Sequence, residues 1–161
     1  MQKSVYIETS FISFLTARRS RDILLAAWQQ ATIDWWQIER NRFDLYTSEL
    51  VIMEASRGND ISAIKRLDAL QDIKRLSITN ETRHLAKLLL EKGALPQKAL
   101  DDALHIAIAA THHIDYLMTW NCRHINNAEM KPRIRTVCGE KGFKCPEVCT
   151  PLELMGPDYD Y

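Results

Sequence analysis

Glu8, Asp102 and Asn121 are the side chains of this sequence best placed to do chemistry together. Glu8 closes the apolar run Val5-Tyr6-Ile7, and Asn121 closes a second one, Tyr116-Leu117-Met118-Thr119-Trp120. Asp102, with Asp101 beside it, opens an Ala-rich segment that runs on to Ala109. In an open α/β sheet, residues at the carboxyl ends of parallel strands meet in one crevice, which is where ligands bind. Carboxylates gathered there repel one another unless a divalent cation holds them, and oxygen ligands suit Mg²⁺ or Mn²⁺. The combination points to metal-assisted hydrolysis of a phosphodiester.

Each of these residues also has a plainer explanation. Glu8 can lie just past its strand and accept a bond from the amide of a following helix, and Thr9 and Ser10 can be ordinary helix caps. They can equally hydrogen-bond the Glu8 carboxylate. Glu54 shares a helix face with Leu50 and Val51, where a solvated glutamate is not expected, although charges at the boundary of such a face are common. Asp101 and Asp102 suit the first turn of a helix because of its dipole. They point about 100° apart, so they are not expected to bind the same ion directly. His105 and His112 fall on the Asp101 face, and a hydrogen-bonded histidine against the sheet is the expectation there, ahead of a histidine metal site. Asn121 can ligate through its carbonyl or position water, but it cannot act as a base. Arg123 and His124, in the loop that follows, are candidates for phosphate contacts, with a plain polar loop as the competing reading.

The elements that must position these groups alternate between strand and helix patterns, which predicts βαβ units and a mostly parallel sheet. Strands are expected at 4–8, 43–47, 74–78 and 114–120, with one or two more at 135–138 and 146–149. Helices are expected at 11–15, from Ser20 to about residue 41, from a Ser48 cap to near Gly58, at 60–70, from an Asn80 cap to Gly93, and at 97–112. In the second of these, Leu24, Trp28, Ala31, Trp35 and Ile38 form an apolar stripe at helical spacing. Trp28, Trp35 and the adjacent Trp36 fit a core or a partner-binding face better than a base-stacking platform.

Composition bounds the rest. The chain of 161 residues is 46% apolar and 26% charged, which is ordinary for a globular protein and long enough for one domain with a real core. Twenty-one basic and 21 acidic residues cancel, so contact with nucleic acid would need a local basic patch. No stretch approaches the ~20 apolar residues that span a bilayer. Met1-Gln2-Lys3-Ser4 runs straight into a strand pattern without a secretory signal, so a cytoplasmic protein is expected. Cys122, Cys138, Cys145 and Cys149 lack the paired spacing of zinc sites and read as reduced, partly buried thiols.

Taken in order, four segments resemble the PIN-domain family, especially the VapC-type ribonuclease toxins of toxin–antitoxin pairs. They are Val5-Tyr6-Ile7-Glu8-Thr9-Ser10-Phe11-Ile12, Ser48 to Gly58, Asp102-Ala103-Leu104-His105-Ile106-Ala107 and Tyr116 to His124, with 146–151 similar to the closing strand. The resemblance implies a single three-layer α/β/α domain over residues 1–161 with a mostly parallel central sheet. It implies Mg²⁺ or Mn²⁺ as cofactor, single-stranded RNA as substrate and an antitoxin protein as partner; the Trp28/Trp35 helix, where the core does not use its stripe, would form a groove wall for an antitoxin helix or a homodimer face. Carried over by position, Glu8, Glu54, Asp102 and Asn121 are the catalytic set, with Glu8 and Asp102 as metal ligands. Thr9, Ser10, Asp101, Arg123 and His124 would support them. The sequence departs from the family's pattern twice, with glutamate in place of the usual aspartate at position 8 and an amide at 121. These departures motivate the alternative of a catalytically weak PIN-like module that binds RNA or protein.

Overall fold

The structure, a computed structural model, describes residues 1–160. Five strands form one parallel sheet: β1 (Lys3–Ile7), β2 (Phe43–Ser48), β3 (Lys74–Leu76), β4 (Tyr116–Met118) and β5 (Glu147–Cys149), in the order β3-β2-β1-β4-β5. Val5, Tyr6 and Ile7 are completely buried, as a strand covered by helices on both faces must be. The outer strand β3, Lys-Arg-Leu, instead keeps cations on an open edge, where they discourage pairing with another sheet. The chain moves outward from β1 through β2 to β3 and then returns to β4 on the other side of β1. That reversal opens a crevice at the carboxyl ends of β1 and β4, directly where Glu8 and Thr119 follow their strands.

Among the described residues the helices are α1 (Thr9–Thr16), α2 (Ile23–Asp34), α3 (Glu49–Ala55), α4 (Asp60–Leu70), α5 (Asn80–Glu91), α6 (Leu100–Thr111) and α7 (Lys131–Glu140). Helix α1 packs on α2, α3 and α4, while α5 packs on α6 and α7, giving the outer layers of an α/β/α sandwich. Helix α6 is buried along most of its length, with Ala103, Ile106, Ala107, Ile108, Ala109 and Ala110 inaccessible. Its small side chains allow close approach to the core, and this carries His105 inside with them.

Several elements differ from the sequence reading. Glu8, rather than Thr9 or Ser10, caps α1, its carboxylate accepting from the Ser10 amide. The cap of α2 is Asp22, not Ser20, whose hydroxyl accepts from the Asp22 amide one step earlier. Thr79, not Asn80, caps α5. The single long helix expected up to residue 41 ends at Asp34, widens into a π turn (Trp35–Glu39) and tightens into a 3-10 turn (Arg40–Arg42). Ile38 lies off the core at 60% exposure, as does Leu24 in the first turn of α2 at 58%, while Trp35 is buried with its indole N–H donating to the Leu154 carbonyl. Residues 135–138 are helical, not a strand. Ile134, Val137 and Cys138 bury one face of α7 at helical spacing, and Pro132 starts that helix, which outweighs the β-branched composition. Strand β4 is shorter than 114–120 because Trp120 N–H leaves the ladder for the Ser10 hydroxyl.

All four cysteines are free; Cys138 and Cys149 are buried, and burial foremost pushes the Cys149 thiol up to about 12. No helix of the described residues is long and apolar enough to cross a membrane.

Candidate active site

Glu8 is held from three directions. Its Oε2 accepts from the Ser10 amide at 3.0 Å, from the Ser10 hydroxyl, and from the Thr119 hydroxyl at 2.8 Å. The residue is only 5% exposed. A carboxylate that far from water is costly unless donors replace its hydration, and these three all converge on one oxygen. Ser10 also accepts the Trp120 amide, and Thr119 accepts the Asn121 amide, so the ends of β1 and β4 are stitched together around Glu8. Trp120 is fixed in turn by its stack on Trp28, with ring centroids 4.8 Å apart, and by its indole bond to Thr32.

Glu54 reaches the same point from α3. It lies in the last helical turn, where the dipole disfavours an acid. Thr9 donates to its Oε1 at 2.6 Å and His105 Nε2 meets the same oxygen at 2.6 Å. Burial alone would raise the Glu54 carboxyl, but the hydrogen bond and charge of His105, the Thr9 hydroxyl and the Arg57 charge outweigh it, and its pKa falls below 4.5. Burial likewise works to lower His105, and the bond to Glu54 with the charges of Glu8, Glu54 and Asp102 reverses it, so the imidazole lies above 6.5.

His105 Nε2 is also 3.7 Å from Glu8 Oε1. One ligand atom from each of Glu8, Glu54 and His105 lies within 4.8 Å of the others, the arrangement needed to share a cation. On the far side of the ring, Nδ1 is 2.7 Å from the Tyr6 hydroxyl, which is 2.8 Å from the Ser48 hydroxyl. Burial foremost holds the Tyr6 phenol well above its usual range, so it stays un-ionised.

Asp102 and Asn121 meet beside this cluster rather than within it. The Asn121 amide donates to Asp102 Oδ1 at 3.0 Å, and His124 Nδ1 donates to Oδ2 at 2.7 Å. Asn121 Oδ1 accepts the His124 amide, closing a three-residue clamp. Asp102 still borders the same opening as Glu54. Both line a recess of about 360 Å³ with Lys98, Ala99, Leu100 and Asp101. Asp101 is exposed at its rim, and Arg123 is exposed in the loop beside His124. A larger recess of about 500 Å³ lies at the carboxyl-terminal tail, but its buried acid Glu39 is spent on Arg42. Convergent acids, not volume, locate the site.

The sequence-predicted residues therefore form two adjoining groups, Glu8–Glu54 with Thr9 and Ser10, and Asp102–Asn121 with His124. Sequence reading placed His105 against the sheet as a hydrogen-bonded histidine, and it bonds there to Tyr6 of the central strand. Its position between the two glutamates was not foreseen, nor were the parts of Tyr6, Ser48 and Thr119. The one signal was a titratable side chain inside an otherwise apolar run of α6. His112 is elsewhere, half-buried and bonded to the Ser77 carbonyl.

The family profile described as PIN domain matches residues 5–128. Among solved structures, VapBC2 from Rickettsia felis, bound to a DNA fragment from its promoter, superposes with a TM-score of 0.58 at 14% identity, over 91% of this chain and 98% of the other. Mycobacterium tuberculosis VapC20, described as a toxin that cleaves the sarcin-ricin loop, gives 0.59 at 15% identity, over 77% of this chain and 95% of that one. At such identities the likeness is one of fold. No curated protein matches the chain in sequence.

Proposed function

The chain belongs to the PIN-domain family, and from that premise we propose that it is a metal-dependent endoribonuclease, a toxin neutralised by an antitoxin. One observation carries the reading. Among the described residues, Glu8 and Glu54 each tie one oxygen to fixed donors and leave the other without a hydrogen bond, and ligand atoms of the two carboxylates converge on a partly buried point. Oxygen-rich, buried and over-supplied with negative charge, this donor set fits a divalent cation. Glu8 and Glu54 would hold Mg²⁺ or Mn²⁺, with Asp102 at the edge of the same opening. When bound, the ion would offset charge developing on a phosphodiester and make water a better nucleophile.

The protein's own residues do the rest. Ser10 and Thr119 keep Glu8 from rotating, and Thr9 does the same for Glu54, so neither acid must reorganise during reaction. The clamp of Asn121 and His124 fixes Asp102 at the mouth. Lys98 on the recess wall and Arg123 in the neighbouring loop supply cations for the backbone of a single strand. These local charges meet the need set by a net charge of zero.

An antitoxin helix would find its seat beside the start of α2, where Ile23, Leu24 and Leu25 are exposed next to a groove lined by Phe14, Ala17, Arg18 and Gln29. Trp35 takes no part, being wholly buried, and Trp28 is occupied by Trp120. The same face would serve a homodimer.

The test is cleavage of a quenched fluorescent single-stranded RNA with Mn²⁺, Mg²⁺ or EDTA, beside Asp102→Asn. Asparagine can keep the bond from Asn121 while the His124 ring turns to its other tautomer, so the fold should survive and cleavage should fall at least ~100-fold. Full activity in the folded variant would remove Asp102 from the mechanism. No cleavage by partner-free wild type with any metal would favour the binding-module alternative, for which the longer Glu8 side chain and the uncharged Asn121 already speak.

A further inference from the structure

We infer that His105 is itself a metal ligand through Nε2, making the centre a mixed imidazole–carboxylate site that takes Mn²⁺ or a later first-row ion in preference to Mg²⁺. The inference rests on the metal-dependent reading above and departs from the oxygen-only ligand set expected from the sequence.

Three observations carry it. The first is convergence: Nε2 lies 2.6 Å from Glu54 Oε1 and 3.7 Å from Glu8 Oε1, with His105 only 1% exposed. The second is a shortage of donors. Two carboxylates converge where Glu8 is 5% exposed, and the single Nε2 position can donate to only one of them, Glu54. A divalent cation at that point would serve both acids at once, and buried charge is tolerated only when so paired.

The third is the far side of the ring. A histidine that binds metal through one nitrogen donates its other N–H to a fixed partner. Here Nδ1 faces the buried Tyr6 hydroxyl at 2.7 Å, and that hydroxyl faces Ser48 Oγ at 2.8 Å, which also accepts the Val51 amide. With Nδ1–H donating to Tyr6 and Tyr6 donating to Ser48, the lone pair falls on Nε2, the nitrogen aimed at both acids. With the proton on Nε2 instead, the hydroxyls turn round, Ser48 donating to Tyr6 and Tyr6 to Nδ1. The chain thus supports the ring in either tautomer without moving a heavy atom. An imidazole among carboxylates tilts the donor set away from Mg²⁺, which prefers oxygen alone, towards first-row transition ions.

The experiment is electron spin-echo spectroscopy of the Mn²⁺-loaded protein, with calorimetric titration of Mn²⁺ and Mg²⁺ into wild type, His105→Gln and Tyr6→Phe. Gln keeps an amide donor for Glu54 but removes the imidazole. Wild type should show ¹⁴N coupling from a coordinated ring, and His105→Gln should lose it together with tenfold or more in Mn²⁺ affinity, Mg²⁺ changing far less. Tyr6→Phe should weaken Mn²⁺ by roughly 10–100-fold, as loss of an outer partner does. Bound Mn²⁺ without ¹⁴N coupling, or equal losses for both ions, would overturn the assignment. Should His105→Gln not fold, the wild-type spectrum decides alone. Mn²⁺ bound through nitrogen in a protein that cleaves no RNA would sink the nuclease reading and leave this one standing. Metal-dependent cleavage without ¹⁴N coupling would do the reverse.

Discussion

Replacing Thr119 by valine removes one hydroxyl from the centre of the site and little else. Thr119 has no exposed surface, and valine nearly matches its shape, so no cavity opens. Two bonds are lost. Glu8 Oε2 loses a donor at 2.8 Å, and the part-buried Asn121 amide loses its acceptor at 2.9 Å. A hydrogen bond to a charged group contributes ~1.5–3 kcal/mol and a neutral one nearer ~1, so the substitution should destabilise by roughly 2–4 kcal/mol. For a chain of this size each kcal/mol moves Tm by about 2–4 °C, which gives a drop of roughly 4–16 °C by circular dichroism. Urea unfolding should show a lower midpoint with an unchanged slope. In a Glu8→Gln background the same substitution should cost less, with a coupling of about 1–2 kcal/mol, because the charged partner is already gone. A Thr119→Val protein that melts within about 1 °C of wild type would refute the claim that these donors hold the Glu8 carboxylate.

Two further perturbations test the electrostatics. Glu54 lies below 4.5, so its contribution is complete above that pH and fades as pH falls through its folded value; His105 lies above 6.5, so its contribution is complete below that pH and fades as pH rises. In EDTA, the stability advantage of wild type over Glu54→Gln should therefore peak between pH 4.5 and 6.5, at roughly 2 kcal/mol, and a flat urea-denaturation profile would contradict the pairing. Asp115 fastens β4 to β1 through the Ser4 amide and hydroxyl, with Lys3 alongside; the amide bond is the main reason its carboxyl lies below 3.8. Asp115→Ala should cost about 1–2 kcal/mol at neutral pH, an advantage of wild type that disappears in acid once the carboxyl is protonated.

Much of this was legible because burial leaves a simple trace in sequence. The run Val5-Tyr6-Ile7 reads as a strand, and an acid emerging from a buried strand is costly unless it is paired or bound. Ser48 and the Asp60–Leu70 helix followed from capping chemistry and spacing. What stayed hidden depends on contacts across the chain. The π turn after Asp34 arises where Trp35 seats against the Leu154 carbonyl, far away in sequence. The strand pattern at 135–138 gave way to a helix once α7 had an apolar face to bury against α5. The place of His105 needed the register of α6 against β1, and the attachment of Asp102 to Asn121 and His124 needed the fold of the loop after β4. Neither is written in local spacing.

The central claim is that the carboxylate of Glu8 is part of the cleaving centre. The most direct measurement is the single-turnover rate of cleavage of a single-stranded RNA by wild type and by Glu8→Gln, each shown to be folded, with Mn²⁺ and with EDTA. Glutamine is close in shape, but it cannot supply the negative charge that a cation needs. Wild type should cleave only with metal, and Glu8→Gln should be slower by at least ~100-fold, the scale of losing one preorganised charge at a reacting centre. Equal rates for the two proteins, or cleavage that persists in EDTA, would contradict the account.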